Sequence, residues 1–213
     1  MIPFSNFTKF KSISTTRSMK ALFTFLILTL IMAPPLIAQE AELPFHQIPD
    51  YPEVYNEFTV AARVVDGLGF RYFWATEGLD EEDLSYKPAE DVRTIGETIE
   101  HIYGLSRTIV NAPQGKLNAT SHEELSFEEL RRKTLENIQE ASELLKRGKP
   151  GDMEDYKVIF GNEGNTTEFP FWNMLNGPIE DAIYHTGQVV AFRRAAGNPI
   201  PEGVRVFLGT RAE

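Results

Sequence analysis

Apolar positions recur every three or four residues along three stretches of this chain, the period of a helix that buries one face. Between Glu53 and Glu77 the set is Val54, Phe58, Ala61, Ala62, Val65, Leu68 and Tyr72. The second stretch runs to about Asn111 with Ile95, Ile99, Ile102, Ser106 and Ile109 on its buried stripe. Thr94 followed by Glu97 fixes its start, because that pairing satisfies two otherwise unpaired backbone donors. Ser126 and Glu129 repeat the device ahead of a third stretch, Phe127, Leu130, Thr134, Ile138, Ala141 and Leu145, which Gly148 and Pro150 end. The last helix is expected from Pro170 or Phe171 to about Ala196, interrupted at Asn176-Gly177-Pro178 and stopped by Gly197-Asn198-Pro199.

The segments between these stretches read differently. Gln39 to Pro52 is proline-spotted and predicts an extended lead-in outside the core. Gly67 and Gly69 weaken the first helix by about 1 kcal/mol each relative to alanine and suit either close packing or a bend. Leu79 to Arg93 is an acidic connection, and Ala112 to His122 a loop. Tyr156 to Phe160 and Thr166 to Phe169 are short β-prone runs around a Gly-Asn-rich turn, which predicts a hairpin. The tail from Ile200 to Glu213, with Val204, Val206 and Phe207, is expected to pack back on the helices. The fold class is therefore all-α: a four-helix bundle over residues 53–198, with a small β-hairpin insertion before the last helix.

Residues 1–38 stand apart. Lys9, Lys11, Arg17 and Lys20 precede an apolar run from Ala21 to about Met32, and the stretch ends at Ile37-Ala38. Charged, apolar and small-residue regions in that order predict a secretory signal, with Met19 an alternative start. The run is shorter than the roughly 20 residues of a bilayer span, so the processed protein is expected to be periplasmic or extracellular without a stable membrane span. Removing the four basic residues takes the net charge from -10 to -14 over the remaining 175 residues. Such an acidic protein repels phosphates, which argues against nucleic acid as a partner. The absence of cysteine removes disulfides, thiolate ligands and a cysteine nucleophile from consideration.

Candidate chemistry rests on three residues. Asp181 and His185, four apart, project from one helix face, and His101 lies at the border of the buried stripe of the second helix. Two imidazoles and a carboxylate suit a divalent ion and leave positions open for water or substrate. The same spacing also describes a core histidine and an ordinary same-face helix pair, and spacing alone leaves both readings standing. Glu97, Tyr103, Tyr184 and Gln188 lie in register to support such a site. Arg193 and Arg194 suit either the helix terminus or a contact with a second subunit, so a homodimer is an open expectation. Gly67-Leu68-Gly69 lacks the third glycine of a dinucleotide fingerprint.

The segment Ile95-Gly96-Glu97-Thr98-Ile99-Glu100-His101-Ile102, followed much later by His185-Thr186-Gly187-Gln188-Val189-Val190, resembles the DinB-like superfamily of four-helix metal proteins. The resemblance spans about Tyr55 to Asn198 and implies a divalent ion, often nickel or zinc, and a carboxylate ligand widens that choice toward iron or manganese. It places metal ligands at His101 and His185, and Asp181 stands where most relatives have histidine. It also implies a metal-dependent hydrolase or transferase acting on a small-molecule substrate; if a metal-bound water is the nucleophile, Glu97 is a candidate proton acceptor. The alternative is a non-catalytic metal- or ligand-binding bundle.

Overall fold

The computed structural model describes residues 42–119, 123–149, 151–162 and 164–212. The expected export segment, residues 1–38, and the start of the lead-in lie outside the described residues. Four long helices form the bundle: α1 (Glu57–Thr76), α3 (Ile95–Asn111), α4 (Phe127–Lys146) and α6 (Glu180–Ala195). They close a ring in which α1 meets α4, α4 meets α3, α3 meets α6 and α6 meets α1. No helix among the described residues is long and apolar enough to cross a membrane.

Helix starts follow their caps. In α3 the Thr94 side chain accepts from Glu97 N while Glu97 Oε2 accepts from Thr94 N, and Ser126 with Glu129 does the same for α4. The stripe Ile95, Ile99, Ile102 and Ile109 is buried as its spacing requires, each side chain contributing about 1.5–3 kcal/mol of transfer free energy. The first helix begins later than Glu53 because Asn56 accepts from Thr59 N and sets the cap there. Val54 is thereby left outside the helix and exposed.

Three connections hold more structure than their composition suggested. Within the acidic stretch after α1, Asp80 and Asp83 form a reciprocal cap that starts a short helix, α2 (Glu81–Ser85). In the loop after α3, Leu117–Asn118 forms a strand, β1, that pairs in parallel with β2 (Lys157–Asn162). The expected hairpin of β2 with β3 (Asn165–Pro170) is present and antiparallel, so the insertion is a three-stranded sheet.

The lead-in is also more than a tether. Phe45 is buried in the core, with φ at 72° in the left-handed region, and its ring occupies the space a Cβ at Gly69 would need. Gly69 is therefore a packing glycine, and α1 runs through it unbroken. Trp74 Nε1 donates to His46 O at 3.1 Å. The tail forms a small antiparallel pair, β4 (Val204–Arg205) and β5 (Thr210–Arg211), tied to the lead-in by Ile48 N donating to Gly209 O at 2.8 Å. It packs through Val204, and Arg211 lies over the Trp74 ring at 5.0 Å. Phe207, expected to help cover the bundle, is instead exposed to solvent.

Arg193 is buried inside the chain. Its Nη1 donates to the carbonyls of Trp74, Ala75 and Glu77 at 3.2, 3.0 and 2.9 Å, and its Nε donates to Asn198 O at 2.7 Å. A cation placed on the last carbonyls of α1 satisfies acceptors that the helix itself cannot. Of the two roles expected for Arg193 this is the one at a helix terminus, though the terminus is that of α1, while Arg194 stays exposed.

Candidate metal centre

The path into α6 determines where Asp181 points. After β3, a single helical turn, α5 (Trp172–Met174), widens into a π turn over Leu175–Ile179. Gly177 adopts φ -109° and ψ -106° there, ahead of Pro178. A proline inside a regular helix costs about 3 kcal/mol through a lost bond and a steric clash, and the widened turn at Gly177 accommodates it. The regular helix resumes at Glu180, one residue before Asp181.

From that start, Asp181 and His185 face α3 from successive turns, and His101 meets them from the second turn of α3. His101 Nε2 lies 3.2 Å from Asp181 Oδ2, and His185 Nε2 lies 3.3 Å from Asp181 Oδ1. The two imidazole rings stand edge to face, with centroids 4.6 Å apart. One donor atom from each residue falls within 4.8 Å of the other two. Tetrahedral donors about 2.0–2.2 Å from one ion lie roughly 3.3–3.6 Å from each other, and the two His–Asp separations, one to each carboxylate oxygen, come close to that spacing. All three residues sit at the border of the bundle, the side chain of His185 being 12% exposed, His101 32% and Asp181 43%.

Proton positions sharpen the picture. His185 Nδ1 is 2.6 Å from Gln188 Oε1. An amide oxygen only accepts, so this orientation of the Gln188 amide pairs with the tautomer protonated at Nδ1. In a neutral imidazole, Nε2 then presents a lone pair, aimed at a carboxylate oxygen 3.3 Å away. Both atoms then have lone pairs that a shared metal ion could use. His101 favours the neutral form: burial lowers its pKa most, Arg93 and His185 push the same way, and Asp181 opposes them. Neutral imidazole is the form that binds metal.

The supporting residues divide. Gln188 orients His185, and Tyr184 packs its ring edge-on against that histidine at 5.3 Å. Tyr103 turns instead toward Glu123, 3.5 Å from its Oε2. Glu97, one turn before His101, is exposed and holds the α3 cap through Oε2. Beside Asp181 a pocket of about 450 Å³ opens between Leu105, Gly177, Pro178 and Tyr184. The residue pattern showed the interruption at Gly177-Pro178 but not that a π turn there forms one wall of this pocket.

A solved DinB-like protein, YjoA from Bacillus subtilis, is similar at 18% identity, over 65% of this chain and 96% of that one, with a TM-score of 0.49. No curated protein matches the chain. The DinB superfamily model matches residues 71–189, more than half of the sequence and a span that contains His101, Asp181 and His185. The chain belongs to the DinB superfamily.

Proposed function

We propose that this protein binds one divalent metal ion through His101, Asp181 and His185 and uses it in hydrolysis or group transfer on a small molecule. The observation that carries the reading is the contact of His185 Nε2 with Asp181 Oδ1, made while Nδ1 is committed to Gln188. A bound divalent ion would supply Lewis acidity and a lowered pKa for water. Gln188 fixes the tautomer of His185, and Asp181 contributes the negative charge. Carboxylate in place of imidazole favours harder ions such as iron(II) or manganese relative to nickel. Glu97 is the proton acceptor in this scheme, since its place four residues before His101 puts it on the same face of α3.

A second reading, a bundle that holds metal without turnover, draws on one observation: Glu97 Oε2 is already engaged by Thr94 N at 2.8 Å. Metal analysis of the purified protein tests the shared premise. Stoichiometric metal that is lost in Asp181→Ala supports it, and equal occupancy in that variant overturns it. Turnover of ester, amide or thiol-conjugation substrates that depends on added metal separates the catalytic reading from the storage one.

The same proposal places the protein outside the cytoplasm, on the strength of the charged and apolar order of residues 1–38. N-terminal sequencing of the expressed protein tests it: a mature terminus near Gln39 supports export, and an intact Met1 or Met19 terminus overturns it.

A further inference from the structure

On the far side of the π turn from the metal centre, a cleft of about 880 Å³ opens between α1, the 3₁₀ turn at Asp152–Asp155 and the chain leaving β3. Its walls are apolar: Val60, Val64, Met153, Phe171, Trp172 and Leu175. That volume lies in the range of small-molecule sites. Val60 and Val64 are exposed one helical turn apart, and Trp172 is 76% exposed, so aromatic and aliphatic surface is held open to solvent beside the cleft.

Charge selects among apolar ligands. Three carboxylates, Glu57, Glu154 and Glu180, line the cleft with one ammonium, Lys157, in a chain of net charge -10. Glu57 is held in place, its Oε1 accepting from Gly151 N at 3.1 Å. An exposed indole among carboxylates suits a cation, because the ring face attracts positive charge that the acids also neutralise. A fatty anion would meet the same carboxylates as repulsion.

We infer that this cleft binds an amphipathic cation, an amine or quaternary ammonium carried on an apolar body. The site is separate from the metal ligands; Glu180 alone borders both the cleft and the pocket at Asp181. The inference does not depend on metal binding.

Trp172 reports on it directly, since Trp74, the chain's other tryptophan, is buried. The protein is titrated with octyltrimethylammonium and with octyl sulfate, both below their micellar concentrations, following tryptophan emission and, in parallel, heat. The expected result is a saturable emission change with the cation, absent in Trp172→Phe, and an affinity at least about tenfold above that for the anion. The double change Glu154→Lys with Glu180→Lys is expected to remove that preference, and Val64→Arg to abolish binding. Equal affinity for both amphiphiles, heat unchanged by Val64→Arg, or loss of helical circular dichroism during the titration each overturns the inference. So does self-association that Val64→Arg prevents, which would mean that a second copy covers the cleft.

Discussion

Gln188 Oε1 lies 2.6 Å from His185 Nδ1, and this one contact favours the tautomer in which the nitrogen facing Asp181, Nε2, keeps its lone pair. Without it the imidazole could take the other tautomer and donate Nε2–H to the carboxylate, a stable pair with no place for a cation. Partners that orient a ligating histidine typically contribute 10–100-fold to metal affinity. Gln188→Leu is therefore expected to weaken binding of manganese or zinc by about that factor, measured by competition with a chromophoric chelator, while helicity stays intact. Unchanged affinity would mean that the tautomer is set elsewhere.

Acid should act on the same centre in a defined direction. Burial above all lowers the pKa of His101 from its ordinary 6.5. As pH falls below about 6.5 the unfolded chain takes up this proton first, so metal-free stability is full above that pH. It declines as pH drops toward the lower folded value. The difference in melting temperature between wild type and His101→Gln, followed from pH 7.5 to 5, isolates this contribution from the other histidines. Wild type is expected to lose more than the variant over that interval. Metal affinity should fall over the same range, because protons compete for the imidazoles.

Arg193 joins the end of α1 to the end of α6. Its guanidinium is 1% exposed and bonds the carbonyls of Trp74, Ala75 and Glu77; burial works against its charge, and Asp83 and Glu77 offset that cost. Arg193→Met keeps the stem but leaves those carbonyls without their donor. Buried acceptors left unpaired cost about 1–3 kcal/mol each, so the two fully buried ones, Trp74 O and Ala75 O, set an expected loss of about 2–6 kcal/mol in urea unfolding. A loss under about 1 kcal/mol would show that water replaces the guanidinium readily.

Gly148 ends α4 against a ring. A Cβ built there would lie 2.3 Å from the ring of Phe58, itself a fully buried residue of α1. Overpacking of this kind costs about 1–3 kcal/mol. Gly148→Ala should destabilise by that amount, and Phe58→Leu in the same chain should recover part of it. Strict additivity of the two changes in chemical denaturation would argue against the contact.

The parts of this molecule that were readable from sequence are those governed by neighbours in the chain. Thr94 with Glu97, and Ser126 with Glu129, are three apart, so their caps could be placed without any tertiary knowledge, and Asp181 with His185 share a face for the same reason. Asp80 and Asp83 obey the identical rule, but they sit in an acidic stretch with no long apolar period to draw attention to a five-residue helix. What was hidden depends on distant partners. Phe45 enters the core because Gly69, 24 positions later, leaves room for its ring. Leu117–Asn118 becomes a strand only because β2 lies beside it, some 40 residues on. Arg193 looks like any terminal cation until the carbonyls of α1 are seen around it. The cluster of His101, Asp181 and His185 lies between these cases: two of its residues are local to α6, and the third required α3 to pack where His101 could complete it.

Glu97 carries two roles that one substitution can separate. Its Oε2 accepts from Thr94 N at 2.8 Å, and its own N–H donates to Thr94 Oγ1 at 3.1 Å, so it is at least a helix cap. Glutamine serves that cap as well, since its amide oxygen accepts the same bond. It cannot take a proton at neutral pH. Glu97→Gln should therefore leave thermal stability within about 0.5 kcal/mol of wild type, whereas Glu97→Ala should lose about 0.5–1.5 kcal/mol with the bond from Thr94 N. If Glu97 is also the proton acceptor, any metal-dependent turnover should fall by about 10²–10⁴ in the glutamine variant with metal affinity unchanged. Turnover equal in wild type and Glu97→Gln would confine this residue to holding the start of α3.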